Sequence, residues 1–206
     1  MDPYRNEIKS LIEKLAQRKQ SVFSLLCCER LLDNYKIFSL NFKWGDVSEL
    51  AKGIDCLIRY IENNSFDKDE IKNIIKNISK ITPNTEDFDT ILVSFALDAC
   101  NSVYESLNFL LNPNIEKVID IASFARDTVD MYIQVKDSLD YSDPQFEYKI
   151  AKNFYMHQEK ERQNKHLGIL ESNELDEHLI NKLRTENKNK KIIDISLLPL
   201  DQLYPS

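Results

Sequence analysis

The stretch Asp67-Lys68-Asp69-Glu70-Ile71-Lys72-Asn73-Ile74-Ile75-Lys76-Asn77-Ile78-Ser79-Lys80-Ile81 decides the fold class. Isoleucine is β-branched and suits a strand. A strand, however, repeats every second residue, whereas Ile71, Ile74, Ile75, Ile78 and Ile81 recur at intervals of three and four. That spacing gathers them on one face of a helix. The start is marked as well, because Asp67 offers an acidic N-cap with Glu70 three residues later, as in a capping box.

The same grammar extends in both directions. Asp46-Val47-Ser48-Glu49 repeats the acidic cap and leads into Val47, Leu50, Ile54, Leu57, Ile58 and Ile61. Tyr4, Ile8, Leu11, Ile12 and Leu15 mark a first helix, and Val22 to Leu32 a second that is apolar almost all round. A fifth, from about Asp89 to Leu111, confines its polar residues to the stripe Ser94, Asp98, Asn101, Glu105 and Asn108, which predicts a central helix with one wet edge. A sixth, roughly Asn114 to Ser138, buries Ile115, Val118, Ile119, Ala122, Ala125, Val129 and Tyr132. Asp2-Pro3, Asn112-Pro113 and Asp143-Pro144 each place an Asx residue at an N-cap and proline at the first helical position. A seventh segment begins after Pro144 with Phe146, Ile150 and Phe154 and turns polar from His157 to His166. Gly168 is read as a break or kink before an eighth helix carrying Leu175, Leu179, Ile180 and Leu183.

Only 3 glycines occur in 206 residues. An all-β chain needs far more turn chemistry, and Gly45, Gly53 and Gly168 stand too far apart for a phosphate-cradling loop. The fold class is therefore all-α, a single-domain bundle of about seven or eight helices with a long C-terminal helical segment. Residues 1–191 form the domain. An apolar tail, 192–206, follows the solvated run Glu186 to Lys191 and is expected to dock on it. No internal repeat or low-complexity segment is present.

The net charge of -7 is uneven. Residues 81–146 hold 12 acidic and 3 basic residues, against 22 and 24 elsewhere. Glu116, Asp120, Asp127, Asp130 and Asp137 fall within a third of the circumference of the sixth helix, opposite its apolar stripe. A solvated face is the plain reading of this array. A surface for a basic protein partner is the functional one, and such a field would repel nucleic acid. No signal-like apolar run, no span of membrane length and no CxxC pair among Cys27, Cys28, Cys56 and Cys100 predict a cytoplasmic chain with reduced thiols and no membrane partner. Pairing of two copies through the tail or the seventh helix is compatible with the sequence.

Chemistry is sparsely signalled. His157 and Glu161 share a helical face but make only half a metal site, so exposed helix is the simpler reading. Cys27 and Cys28 lie among Phe23, Leu25, Leu26, Leu31 and Leu32 and read as buried, inert thiols. Glu29 and Arg30 sit where the second helix is apolar all round, diverge by about 100° and each need a distant partner. Asp87, Asp89 and Asp98 are the candidates for Arg30. Together these five residues form either a structural ion network or a set of carboxylates for acid–base or metal chemistry. No nucleophile elbow or HExxH motif is present, and neither a catalytic residue nor a cofactor or metal ligand is assigned.

Phe23 through Arg30 (FSLLCCER), Asn34-Tyr35 with Phe38, Trp44-Gly45-Asp46, Asp87-Phe88-Asp89 and Ala96-Leu97-Asp98-Ala99-Cys100 follow one another in an order and spacing that resembles the YjaG-like family of bacterial proteins, domain of unknown function 416. The similarity spans roughly Phe23 to Asp137, and the stretch from His157 departs from the pattern. The resemblance implies a cytoplasmic helical bundle and supplies no catalytic residues. The functional expectation is a non-enzymatic protein–protein interaction module. An immunity or antitoxin-like protein acting on a basic toxin, a carboxylate-based metal-dependent enzyme and a signalling accessory are the alternatives.

Overall fold

Ten α-helices and no strand make up the described residues, 3–188 and 190–203, of a computed structural model. They are α1 (Pro3–Ile12), α2 (Gln17–Phe42), α3 (Val47–Asn63), α4 (Lys68–Ile81), α5 (Ile91–Leu111), α6 (Ile115–Lys136), α7 (Phe146–Lys152), α8 (Phe154–Ser172), α9 (Glu177–Lys188) and α10 (Leu200–Leu203). The bundle has more members than expected because the seventh segment divides at Asn153 into α7 and α8, and the tail adds the short α10.

The apolar girdle of α2 and the apolar surface of α5 make these two helices the central pair. Small side chains let them approach. Cys28 Sγ lies 3.2 Å from Ser106 Oγ, and the Ser106 hydroxyl donates back to the Ser102 carbonyl at 2.7 Å. Helix α6 covers α5 and α2 on one flank, α3 and α4 cover the other, and α1 and α8 pack on the outside of α6. Helix α9 closes against α2.

Local chemistry explains most boundaries. Asp46 accepts from the Ser48 amide at 2.8 Å, and Asp67 accepts from the Asp69 and Glu70 amides, satisfying donors that a helix start leaves open. Two of the proline-marked starts lie further along than the sequence suggests. Proline disfavours helical backbone in the residue before it. Asn112 accordingly ends α5 outside helical geometry, and Asn114 caps α6 by accepting from the Glu116 amide at 3.0 Å. Asp143 likewise accepts from the Gln145 amide in a turn, and α7 starts at Phe146. The cap expected at Asp2 lies outside the described residues.

Gly168 does not interrupt the chain, since α8 runs through it from Phe154 to Ser172. A single glycine costs a helix only about 1 kcal/mol, less than continuous packing of α8 against its neighbours supplies. The breaks fall instead at Asn153, which caps α8 through the Tyr155 amide, and at Asn173.

Two glycines are required by close approach. At Gly45, with φ of +68°, a Cβ would meet the Tyr35 hydroxyl, which donates with Trp44 Nε1 to the Ile81 carbonyl ending α4. At Gly53 a Cβ would stand 2.5 Å from Val103 Cγ1. Beyond α9, Ile192, Ile193, Leu198 and Leu203 are buried. The Thr90 hydroxyl at the start of α5 donates to the Gln202 and Leu203 carbonyls. Residues 204–206 of the tail lie outside the described residues.

The contrast between two glycines tests this packing. Gly168→Ala, with open space around the added methyl, should stabilise by about 0.5–1 kcal/mol. Gly53→Ala should destabilise by about 1–3 kcal/mol through overpacking against Val103. Urea denaturation of both variants reads the two signs, and equal signs would refute the close α3–α5 approach.

Candidate functional site

Arg30 is the most deeply buried charge of α2, its side chain only 1% exposed. An unpaired guanidinium in that position would cost several kcal/mol, so it fixes a requirement that some other segment must meet. The carboxylate comes from α8. Arg30 Nη2 donates to Glu159 Oε1 at 2.5 Å, across 129 residues of sequence. Arg30 Nη1 donates to Asn187 Oδ1 of α9 at 3.2 Å, while Asn187 Nδ2 donates to the Leu26 carbonyl of α2 at 2.9 Å. Gln163, one turn after Glu159, donates to Glu159 Oε1 and to the Ala122 carbonyl of α6. Its own carbonyl accepts from the Tyr4 hydroxyl of α1 at 3.3 Å. Five helices therefore meet at one buried polar knot.

Charge in the knot is not balanced by Glu159 alone. Arg162 is also buried, 3.9 Å from Glu159 Oε2, and burial together with the neighbouring Arg30 guanidinium holds it below the usual arginine range. His166 lies alongside. Burial, aided by Arg30 and Arg162, pushes its pKa down to about 3, so its ring stays neutral at physiological pH. The polar run from His157 to His166 is thus two-faced. His157 and Glu161 are exposed, as read from the sequence, while Glu159, Arg162, Gln163 and His166 are buried.

The structure does not bring the candidate charge cluster together. Glu29 does not pair with Arg30 but receives Arg184 of α9 at 2.7 and 2.8 Å. Asp98 accepts from the Thr128 hydroxyl of α6 at 2.7 Å. Asp87 and Asp89 are exposed. They flank Phe88 in extended backbone, where alternate side chains face opposite ways. Phe88 turns inward onto the rings of Phe38, Phe42 and Trp44, which sends both aspartates out. Neither is the partner of Arg30. Among the described residues no three His, Cys, Asp or Glu side chains converge on a possible metal position. The carboxylate centre considered from the sequence therefore has no geometry here. Cys27 and Cys28 are fully buried, and burial raises their thiols to about 12 and about 11, which leaves them protonated.

The acidic array of α6 divides in two. At its N-terminal half Arg5 reaches Glu116 and Asp120 at 3.1 and 2.8 Å, and Lys9 reaches Glu116 at 2.8 Å, so α1 consumes this part. The C-terminal half, with Asp127, Asp130 and Asp137, runs toward α7. Asp130 and Glu147 line one cleft among α1, α6, α7 and α8 together with Arg126 and Lys160, and Asp137 pairs with Lys136 and accepts from Asn153 at 2.9 Å. The stretch of chain that follows this end of α6 carries three large exposed rings: Tyr141, Tyr148 and Phe154 at 87%, 63% and 69% exposure. Phe154 belongs to the apolar series Phe146, Ile150 and Phe154 that opens the seventh segment. The split at Asn153 rotates it outward and turns Tyr155 inward onto Tyr132 instead.

Two outcomes are expected of the buried charges. Glu159→Ala should cost about 3–5 kcal/mol by stranding Arg30, whereas the double change Arg30→Met with Glu159→Leu should recover most of that loss. Guanidinium denaturation checks this, and an undiminished loss in the double variant would show that the pair is not the cause. Asp98 supplies a pH dependence. Burial, with Asp127 nearby and Thr128 opposing, raises its carboxyl to about 7, above its value in the unfolded chain. Its stabilising contribution is therefore full in acid and fades as pH rises from about 4 through about 7. Asp98→Asn should be more stable than the native chain by on the order of 2–4 kcal/mol at pH 8 and nearly equal at pH 4.

Comparison with known proteins follows the fold. The family described as "Protein of unknown function (DUF416)" matches residues 7–197. An uncharacterised protein of Haemophilus influenzae is 25% identical over 198 residues, 94% of this chain and 97% of that one. The crystal structure of a DUF416 family protein from Shewanella baltica OS155 superposes with a TM-score of 0.79 at 24% identity, covering 88% of this chain and 93% of that chain. The structural likeness is one of fold.

Proposed function

Because this chain belongs to the DUF416 family, whose function is unknown, we propose from its own surface that it is a protein-binding module acting through the acidic and aromatic face at the junction of α6 and α7. The observation that carries the reading is the exposure of Tyr141, Tyr148 and Phe154 within 14 residues of chain. Scattered single apolar residues are normal on a surface, but large rings grouped beside carboxylates are unusual. Tyrosine contributes most at protein interfaces, because it buries much area with little rotamer freedom to lose and keeps a hydrogen-bonding tip.

Charge complementarity selects the partner. Asp137, Asp140 and Asp143 are neighbours of these rings in the chain, with Lys136 on Asp137 and Lys149 on Asp143, and the acidic end nearer α1 is engaged by Arg5 and Lys9. A basic protein surface with an apolar groove is the matching chemistry. The carboxylates would speed and orient encounter, and the rings would supply the lasting contact. No helix among the described residues is long and apolar enough to cross a membrane, and the reading needs none.

The test uses tagged full-length chain to capture partners from the native cell, followed by binding measurements with the purified partner. A basic protein should bind, lose affinity as salt rises, and lose about tenfold or more with Tyr141→Ala and Tyr148→Ala combined. Changing Asp127, Asp130 and Asp137 to Lys should slow association. Captured proteins that are acidic, or that bind both variants as well as the native chain, would end this reading.

A further inference from the structure

Helices α3 and α9 both pack on α2 but scarcely on each other. The groove left between them is a cleft of about 420 Å³, within the range of small-molecule sites. Its apolar floor comes from Leu32 of α2 and from Ala51, Ile54 and Ile58 of α3. Those three recur at intervals of three and four, so they form one stripe of α3. Leu32, Ala51 and Ile58 are only half-buried, which leaves the floor open to a ligand.

The rim is basic, and its charges fall into two classes. Arg184 is held by Glu29 at 2.7 Å and Lys36 by Asp33 at 2.8 Å, so these charges cancel within the cleft. Arg30 is buried and committed to Glu159. Lys188, Lys190 and Lys191, at the end of α9 and just after it, are exposed and form no ion pair among the described residues. Lys190 also borders a neighbouring cleft with Glu161 and Glu186, but Glu186 is taken by Lys165 at 3.1 Å. One carboxylate of the α2–α3–α9 cleft, Asp55 on α3, is likewise without an ion pair among the described residues. Three lysines against one carboxylate leave two accessible positive charges, in a chain whose net charge is -7.

Unpaired lysines repel one another, and gathering them at one apolar cleft suits an anionic ligand. Lysine is a point charge with three donors, which fits phosphate, and a phosphate monoester carries about -1.5 to -2 at neutral pH. A single carboxylate would neutralise only half of the surplus. Asp55 repels an anion, so the phosphate is directed to the lysine end and away from α3. The same carboxylate shares the cleft with Ile54 and Ile58, and it can accept from a hydroxyl or amino group on the body covering that floor.

We propose that this cleft binds a small phosphate monoester whose flat apolar body bears hydrogen-bond donors, the chemistry of a nucleoside monophosphate. Lys188, Lys190 and Lys191 hold the phosphate, the α3 stripe packs against the body, and Asp55 accepts its donor. The site shares no residue with the acidic and aromatic face, so either assignment stands or falls without the other.

The test titrates full-length chain calorimetrically with adenosine and uridine monophosphates, using the two nucleosides and inorganic phosphate as controls. Saturable binding with a Kd below about 1 mM is expected for at least one nucleotide, with each control about tenfold weaker or more and affinity falling as salt rises. Changing Lys188, Lys190 and Lys191 together to Gln should weaken binding about tenfold or more and leave the melting temperature unchanged, because these side chains are exposed and unpaired. Ala51→Phe, which fills the floor, should block binding with the lysines still in place. No saturable binding by either nucleotide, inorganic phosphate bound as tightly as the nucleotides, or affinity indifferent to either change would overturn the proposal and leave the three lysines as solvated surface.

Discussion

A guanidinium inside a helical bundle needs a carboxylate, and in this protein that need organises the second half of the chain. Arg30 is committed to the interior by the apolar girdle of α2 around it. Glu159 can neutralise it only if α8 lies along α6 in one register. Gln163 then fixes α8 to the Ala122 carbonyl, Tyr4 ties α1 to Gln163, and Asn187 holds the end of α9 to both Arg30 and the Leu26 carbonyl. Burying such a pair contributes little net stability compared with an apolar core. Its effect is selective, because any shifted register of α8 would leave a buried charge alone.

The same economy appears on the surface. Acidic residues concentrated in the middle of the chain do not produce one uniform face, because α1 brings Arg5 and Lys9 onto the N-terminal half of α6. At the far end α7 and the loop before it carry exposed aromatic rings, and Asp137 meets Lys136 and Asn153. Lys188, Lys190 and Lys191 line clefts at the end of α9 and on the chain that returns over α2.

Much of the fold was legible from periodicity and caps. The three- and four-residue spacing of Ile71 to Ile81, the Asp46 and Asp67 caps and the near absence of glycine are local properties, and local hydrogen bonding realises them directly. Where local signals competed, the sequence alone misplaced the boundary. Proline at 113 and 144 marks a helix start only approximately, because it also bends the residue before it away from helix. Gly168 looked like a stop, yet tertiary packing outweighs its propensity. Gly53 carried the more severe constraint and gave no sign of it, since Val103 approaches from another helix.

The site divides along the same line. That Arg30 and Glu29 are held near the core, diverge and require separate partners follows from α2 alone. The identity of the partners does not, because a charge acts through space and any of 34 acidic residues is eligible on sequence grounds. Asp87 and Asp89 were nearer in the chain, but Phe88 between them occupies an aromatic cluster and turns both outward. Glu159 had one faint signal: with Met156, Gln163, Leu167 and Leu170 it keeps a helical stripe that periodicity of apolar residues alone overlooks, because two of its members are polar. Sequence determined the helices, their caps and the presence of a buried cation. Tertiary structure decided which carboxylate meets it and which clefts and rings remain open, since those depend on distances between segments that no local pattern encodes.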